Sequence, residues 1–212
     1  MKFSIDQKLL DTELKIVRGV VAPKATLPIL GCIYIKVKDN NLTLAGTDLD
    51  VGIVSEVPVN AKSDGAVALP AGTLADIVGT LPEGEIKFSS KDETRNMTIT
   101  APGHRSRIKG LDPEDFPPIP ALDYESIGVD ILDFKNMVNQ VVFAASNDDS
   151  RPVLEGVNVS TNGDNELIMA VADGFRLSVS KLRLSENING KKFNVIVPAT
   201  SLVDANKTVD LD

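Results

Sequence analysis

Val67-Ala68-Leu69-Pro70-Ala71-Gly72-Thr73-Leu74-Ala75-Asp76 returns 128 positions later as Val195-Ile196-Val197-Pro198-Ala199-Thr200-Ser201-Leu202-Val203-Asp204. Both stretches open on apolar strand formers, meet a proline, and continue with residues that suit a helix. Each therefore reads as a strand entering a helix at Pro70 or Pro198, a residue tolerated in a helix's first turn. Two further echoes precede this one in the same order. Leu27-Pro28-Ile29-Leu30-Gly31-Cys32-Ile33 reappears as Arg151-Pro152-Val153-Leu154-Glu155-Gly156-Val157, an offset of 124, and Leu42-Thr43-Leu44-Ala45-Gly46-Thr47-Asp48 as Leu167-Ile168-Met169-Ala170-Val171-Ala172-Asp173, an offset of 125. Three collinear matches at a slowly drifting offset mean a duplicated domain.

The boundary between copies is expected in Gly110 to Pro120, where four prolines disfavour both helix and central strand. Residues 1–120 then form a complete first copy and 121–212 a second copy that lacks its last strands. Within the first copy, Leu9, Leu10, Ile16, Val17, Val20 and Val21 recur at helical spacing, with Ser4 and Gln7 placed as a capping box. Ile33, Ile35 and Val37 alternate with polar residues, and Asp39-Asn40-Asn41 turns the chain into Leu42-Thr43-Leu44, a hairpin. Val51, Ile53 and Val57 continue the strand pattern, and three short strands follow the second helix, ending at Ile108. Each copy thus reads as two β-α-β-β-β halves of an α+β fold, with helices covering one side of an antiparallel sheet. In the second copy Phe134, Met137, Val138, Val141 and Val142 form the helix stripe, and Lys135, Asn136, Asn139 and Gln140 face away.

The chain has 212 residues, 22 Lys and Arg against 30 Asp and Glu, and a net charge of −8. That balance argues against coating nucleic acid by bulk electrostatics. A single cysteine, Cys32, and a single histidine, His104, exclude a disulfide framework and a Cys/His zinc site. Cys32 reads as a small buried hydrophobe or a nucleophile, and His104 as an exposed turn residue. No apolar signal segment or membrane-length apolar run occurs, so a cytoplasmic protein with no membrane span is expected. Phosphate-loop, nucleophile-elbow, zinc-protease and dinucleotide motifs are all absent, and no cofactor is expected.

One enzymatic reading uses Asp48, Asp50 and Asp173 to hold magnesium for chemistry on nucleic acid. The competing reading is structural. Asp48 and Asp173 occupy equivalent places in the two copies, whereas an asymmetric catalytic site rarely needs one residue twice. A turn carboxylate accepting backbone N–H bonds explains the duplication. Scattered cations remain, among them Lys24, Arg105, Arg107, Arg151, Arg176 and the Lys191-Lys192 pair.

Six motifs in order, Thr26-Leu27-Pro28-Ile29-Leu30, Gly46-Thr47-Asp48-Leu49-Asp50, Gly103-His104-Arg105-Ser106-Arg107, Leu111-Asp112-Pro113-Glu114-Asp115-Phe116-Pro117, Arg151-Pro152-Val153-Leu154-Glu155-Gly156 and Ala172-Asp173-Gly174-Phe175-Arg176-Leu177, closely resemble the bacterial sliding-clamp family, the beta subunit of DNA polymerase III. The resemblance spans the chain. It implies three similar DNA-clamp domains per subunit and a homodimer ring around double-stranded DNA. It also implies a non-catalytic processivity factor that tethers the polymerase III alpha subunit, the clamp loader and other clamp-binding-motif proteins. The third domain is absent here, so ring closure is expected only of a longer chain.

Residue by residue, the resemblance implies DNA contacts at Lys24 and Arg151, and a ring interface at Arg105, Arg107 and Ile108. Leu154, Ala172, Gly174, Phe175, Arg176 and Leu177 match one half of a pocket for short peptides, whose apolar members seat a Leu or Phe. The other half belongs to the missing domain. Ala172 and Phe175 stand where many members have Thr and His or Tyr, which removes a hydroxyl and a polar ring. Pro152, Val153 and Thr200 replace aromatic or basic residues that some members place near DNA.

Overall fold

The computed structural model describes residues 1–21, 27–90, 95–120, 126–148, 150–185, 188 and 190–208. Its contacts divide the chain into two units, Met1–Ala121 and Leu122–Asp212.

The first unit begins with strand β1 (Lys2–Asp6) and helix α1 (Gln7–Arg18), followed by β2 (Cys32–Lys38), β3 (Asn41–Thr47), β4 (Gly52–Pro58) and a short β5 (Asn60–Ser63). Strand β6 (Gly65–Pro70) then leads into α2 (Ala71–Thr80), β7 (Glu85–Ser90), β8 (Asn96–Ala101) and β9 (His104–Lys109). The two β-α-β-β-β halves are present, but they do not build one sheet. The strands form two antiparallel sheets, ordered β5-β1-β7-β8-β9 and β4-β3-β2-β6. Each half sends the strand before its helix into the other half's sheet, so neither half can fold away from its partner.

Local chemistry accounts for the turns and ends. Lys38 pairs with Asn41, and Asp39 and Asn40 both take positive φ, 51° and 62°, the two-residue hairpin turn whose twist matches its strands. The cap of α1 differs from the Ser4–Gln7 box. Asp6 stands closer to the first turn and accepts from the Lys8 and Leu9 amides at 3.0 and 3.3 Å, while Ser4 donates across the sheet to Glu85 at 2.7 Å. Gln7 is buried, and its Nε2 donates to the Val78 carbonyl of α2 at 2.9 Å. Pro70 likewise precedes α2 as its N-cap rather than sitting in its first turn.

Leu10, Leu14 and Val17 from α1 and Leu74 and Val78 from α2 bury one face each against strand residues such as Ile33, Ile35, Ile86 and Phe88. Leu14 and Val17 are 0% exposed, so each contributes about 1.5–3 kcal/mol of apolar burial. Where β3 passes beneath α1 the backbones nearly touch: a Cβ on Gly46 would lie 2.8 Å from the Val17 carbonyl oxygen. The proline-rich boundary is not loose chain. Leu111 bridges Ala68, Gly110 donates to the Arg95 carbonyl, and Phe116 packs 5.3 Å from the Tyr34 ring. Among the described residues no helix is long and apolar enough to cross a membrane.

The second unit carries α3 (Ile131–Val141), β10 (Gly156–Thr161), β11 (Glu166–Ala172), β12 (Leu177–Arg183), β13 (Phe193–Pro198) and α4 (Ala199–Thr208). Its sheet order, β12-β11-β10-β13, reproduces β4-β3-β2-β6 strand for strand. The three sequence echoes fall on equivalent elements: a 3-10 turn entering β2 or β10, then β3 or β11, then the strand-to-helix passage at Pro70 or Pro198. Met137, Val138 and Val141 are buried as the α3 stripe requires. Gln140 is exposed, as the α3 pattern requires, and is tied at the surface: its carbonyl accepts from Ser178 at 2.6 Å and its Oε1 from Ser180 at 2.7 Å.

Candidate functional site

The densest group of sequence-selected residues lies where β11 ends and β12 begins. Leaving β11, the chain must reverse within Asp173 to Arg176, and the Asp173 carboxylate shapes that reversal. Its Oδ1 accepts from the Phe175 and Arg176 amides at 2.9 and 3.0 Å, and Gly174 takes φ +92°. Those backbone N–H bonds, and then the Arg176 guanidinium, hold the carboxyl below the usual range. Arg176 Nε donates to Oδ2 at 2.8 Å, and its guanidinium lies 5.7 Å from the centre of the Phe143 ring, within cation–π range.

This turn displays apolar side chains rather than hiding them. Phe175 is 98% exposed and Leu177 69%. Leu154 is half-buried at the end of the neighbouring 3-10 turn, and Ala172 half-buried at the end of β11. Val153, a member of the Arg151–Gly156 motif, and Phe143, which no motif contains, are exposed as well. The signal for Phe143 was available: it continues the helical stripe past Val142 but falls off its buried face.

The magnesium reading depends on free carboxylates. Asp48 Oδ1 accepts from the Asp50 and Val51 amides at 3.0 and 2.8 Å, the same turn that Asp173 makes in the second unit. Both duplicated aspartates are engaged by their own backbone. Among the described residues no group of three or more His, Cys, Asp or Glu side chains is placed to hold a metal ion. Cys32 is buried, and burial pushes its thiol pKa up, which disfavours a nucleophilic thiolate. His104 opens β9, with Nε2 2.7 Å from the Ser106 hydroxyl.

The cations separate into distinct settings. Lys24 lies outside the described residues. Arg151 donates Nε and Nη2 to Asp148 Oδ2 at 3.1 and 2.9 Å, and its Nη1 would stand 3.7 Å from a Cβ on Gly174, so it borders the exposed turn. On α1, Lys8, Lys15 and Arg18 reach Glu83, Asp11 and Asp76 at 3.0, 2.6 and 3.4 Å. Arg105 and Arg107 are exposed on β9, an edge strand. Ile108 differs from its neighbours: it is 4% exposed and its side chain belongs to the first unit's own core, which leaves only its main chain at that edge.

Two units that repeat one sheet order, with strand-to-helix passages at the equivalent Pro70 and Pro198, are copies of one domain. Residues 1–120 match the family model described as DNA polymerase III beta subunit, N-terminal domain, and residues 129–212 match its central domain. The beta sliding clamp of Staphylococcus epidermidis is 34% identical across 98% of this chain and 56% of that protein. The Bacillus subtilis DNA polymerase sliding clamp superposes with a TM-score of 0.94 at 28% identity, covering 99% of this chain and 57% of that one. The C. crescentus beta sliding clamp, a structure with bound PEG, matches at 30% identity with a TM-score of 0.88, over 98% of this chain and 56% of its own. The chain belongs to the DNA polymerase III beta subunit family. It spans little more than half the length of these relatives.

Proposed function

We propose that this chain supplies the DNA-enclosing and partner-binding surfaces of a replication processivity clamp, and that it performs no chemistry itself. In this reading the native-length protein closes a homodimer ring around double-stranded DNA and tethers the polymerase III alpha subunit, the clamp loader and other proteins carrying a clamp-binding motif. Lys24 and Arg151 contact the duplex, and Arg105, Arg107 and the main chain at Ile108 form one side of the ring joint. A net charge of −8 suits such a protein, because enclosure rather than tight electrostatic attraction retains the DNA. The carboxylates paired to the α1 cations keep duplex contacts on that helix weak, as sliding requires.

The observation that carries the proposal is the Asp173 turn. It fixes Gly174 to Leu177 in one shape while leaving Phe175 and Leu177 in water, an arrangement that costs solvation unless a partner covers them. Leu154, Ala172 and Arg176 complete the surface, which accepts an apolar anchor such as Leu or Phe from a short peptide. The test is a fluorescence-anisotropy titration of a labelled peptide bearing adjacent Leu and Phe against the native-length protein. Saturable binding that weakens when Leu177 is truncated supports the reading, and binding indifferent to that change overturns it.

A further inference from the structure

Each unit makes the same turn, and in the first unit a side chain from elsewhere in the chain already sits beside it. Asp48 Oδ1 accepts from the Asp50 and Val51 amides, and the Asp48 amide donates to the Val51 carbonyl at 3.2 Å. Asp173 does the same with Phe175 and Arg176, its amide reaching the Arg176 carbonyl at 3.3 Å. Thr47 pairs with Gly52 as Ala172 pairs with Leu177, so Leu49, Asp50 and Gly52 stand in the places of Gly174, Phe175 and Leu177. Leu49 takes φ +85° where Gly174 takes +92°, a conformation uncommon for a residue with a side chain. It is nonetheless 61% exposed, and Val54, two residues past Gly52 on the same face of β4, is 48% exposed.

The seat differs between the copies. Leu177 stands in water, whereas Gly52 lies against Ile119: a Cβ on Gly52 would meet the Ile119 side chain at 3.2 to 3.5 Å. Ile119 arrives on a proline-rich strap that crosses the sheet face turned away from α1 and α2. Leu111 bridges Ala68 on β6, Phe116 packs on Tyr34 of β2, and Ile119 reaches Gly52 on β4. The chain thus seats an isoleucine of its own where the second unit displays an open apolar surface.

The charge beside the seat differs too. Asp50 replaces Phe175 and Val51 replaces Arg176, and Asp48 and Asp50 are both exposed, so this turn presents carboxylates where the other presents a guanidinium. Carboxylates beside an apolar seat favour a ligand that carries a cation next to its apolar anchor. We propose, building on the reading of the Asp173 turn as a peptide seat, that the Asp48 turn is a second peptide-docking surface. Its ligand is a short segment with Leu or Phe beside Lys or Arg, and Ile119 occupies its seat in cis. A tethered occupant competes at high effective concentration, so an incoming peptide takes the seat only by displacing Ile119. One chain then offers two surfaces of opposite charge preference, of which the strap gates one.

The experiment follows isoleucine, leucine and valine methyl groups by NMR in the native-length protein, titrated with a peptide of adjacent Leu and Phe flanked by lysines. In the wild type the Leu49, Val54 and Ile119 methyls should shift together over one concentration range. Ile119 is half-buried, so Ile119→Ala should tighten the response at Leu49 and Val54 roughly four- to tenfold while leaving that at Leu177 unchanged. Exchanging the flanking lysines for glutamates should weaken the response at Leu49 and Val54. Circular dichroism establishes that the variant folds, and the wild-type titration needs no variant. Movement at Leu49 and Val54 with Leu177 silent would support this proposal while refuting the Asp173 reading. Silent Leu49 and Val54 methyls, their movement with Ile119 fixed, or a response indifferent to Ile119→Ala overturns the proposal.

Discussion

Replacing Leu177 by alanine removes most of one exposed apolar side chain from the Asp173 turn without touching the bonds that shape it. Leu177 opens β12 and pairs through its main chain with Ala172, while its side chain is 69% exposed. Full burial of a leucine is worth about 1.5–3 kcal/mol, so covering the exposed fraction yields about 1–2 kcal/mol. A methyl retains little of that, and the peptide's dissociation constant should rise roughly 5- to 30-fold. The same argument predicts almost no change in folding stability, since the free protein gains little from a side chain standing in water. Anisotropy titration of the Leu-Phe peptide on wild-type and variant native-length protein reads the first quantity, and urea denaturation reads the second. Unchanged affinity with unchanged stability would refute the assignment of this surface; a loss of both would mean that Leu177 acts through folding instead.

The Asp173 carboxyl is held below its ordinary pKa by the Phe175 and Arg176 amides, so its bonds to the turn persist from neutral pH down past the unfolded value of about 3.9 and disappear only as pH falls through the lower folded value. Peptide affinity should therefore stay level across mildly acidic pH as far as Asp173 is concerned, and Asp173→Ala should weaken it at neutral pH, both read by the same titration. Leu14→Ala, at a side chain 0% exposed between helix and sheet, should destabilise the first unit by about 2–5 kcal/mol, measured by denaturant unfolding. Amide exchange should be faster in the second unit than in the first: Val195 and Ile196 on β13 are 47% and 52% exposed, whereas Val67 and Ala68 at the same places on β6 are 1% and 0%. Slower exchange in the second unit would contradict that ordering.

The duplication was legible because strand-to-helix passages at Pro70 and Pro198 write the same local chemistry twice. The hairpin at Asp39-Asn40 and the turn aspartates at 48 and 173 were legible for a similar reason, since each is decided by residues within a few positions. The cap of α1 was misassigned because Ser4 matches a capping pattern, while Asp6 offers a carboxylate one residue before the helix and Ser4 is drawn to Glu85, far away in sequence. The exchange of β1 and β6 between sheets could not be read, as period-two patterning states that a strand has a buried face and not which strand lies beside it. The same limit hid the seating of Ile119 against Gly52, which are far apart in the chain and meet only across the sheet face. Ile108 was read from its neighbours in a motif, but strand alternation turns its side chain inward while Arg107 points out.

The central claim is enclosure of DNA, and topology tests it most directly. The native-length protein is loaded by its clamp loader on a nicked circular duplex, the complex is separated by gel filtration at high salt, and the circle is then cut once. The clamp account predicts that protein co-elutes with the intact circle and is released when the DNA becomes linear. Equal retention on circular and linear DNA, or no retention on either, would contradict it.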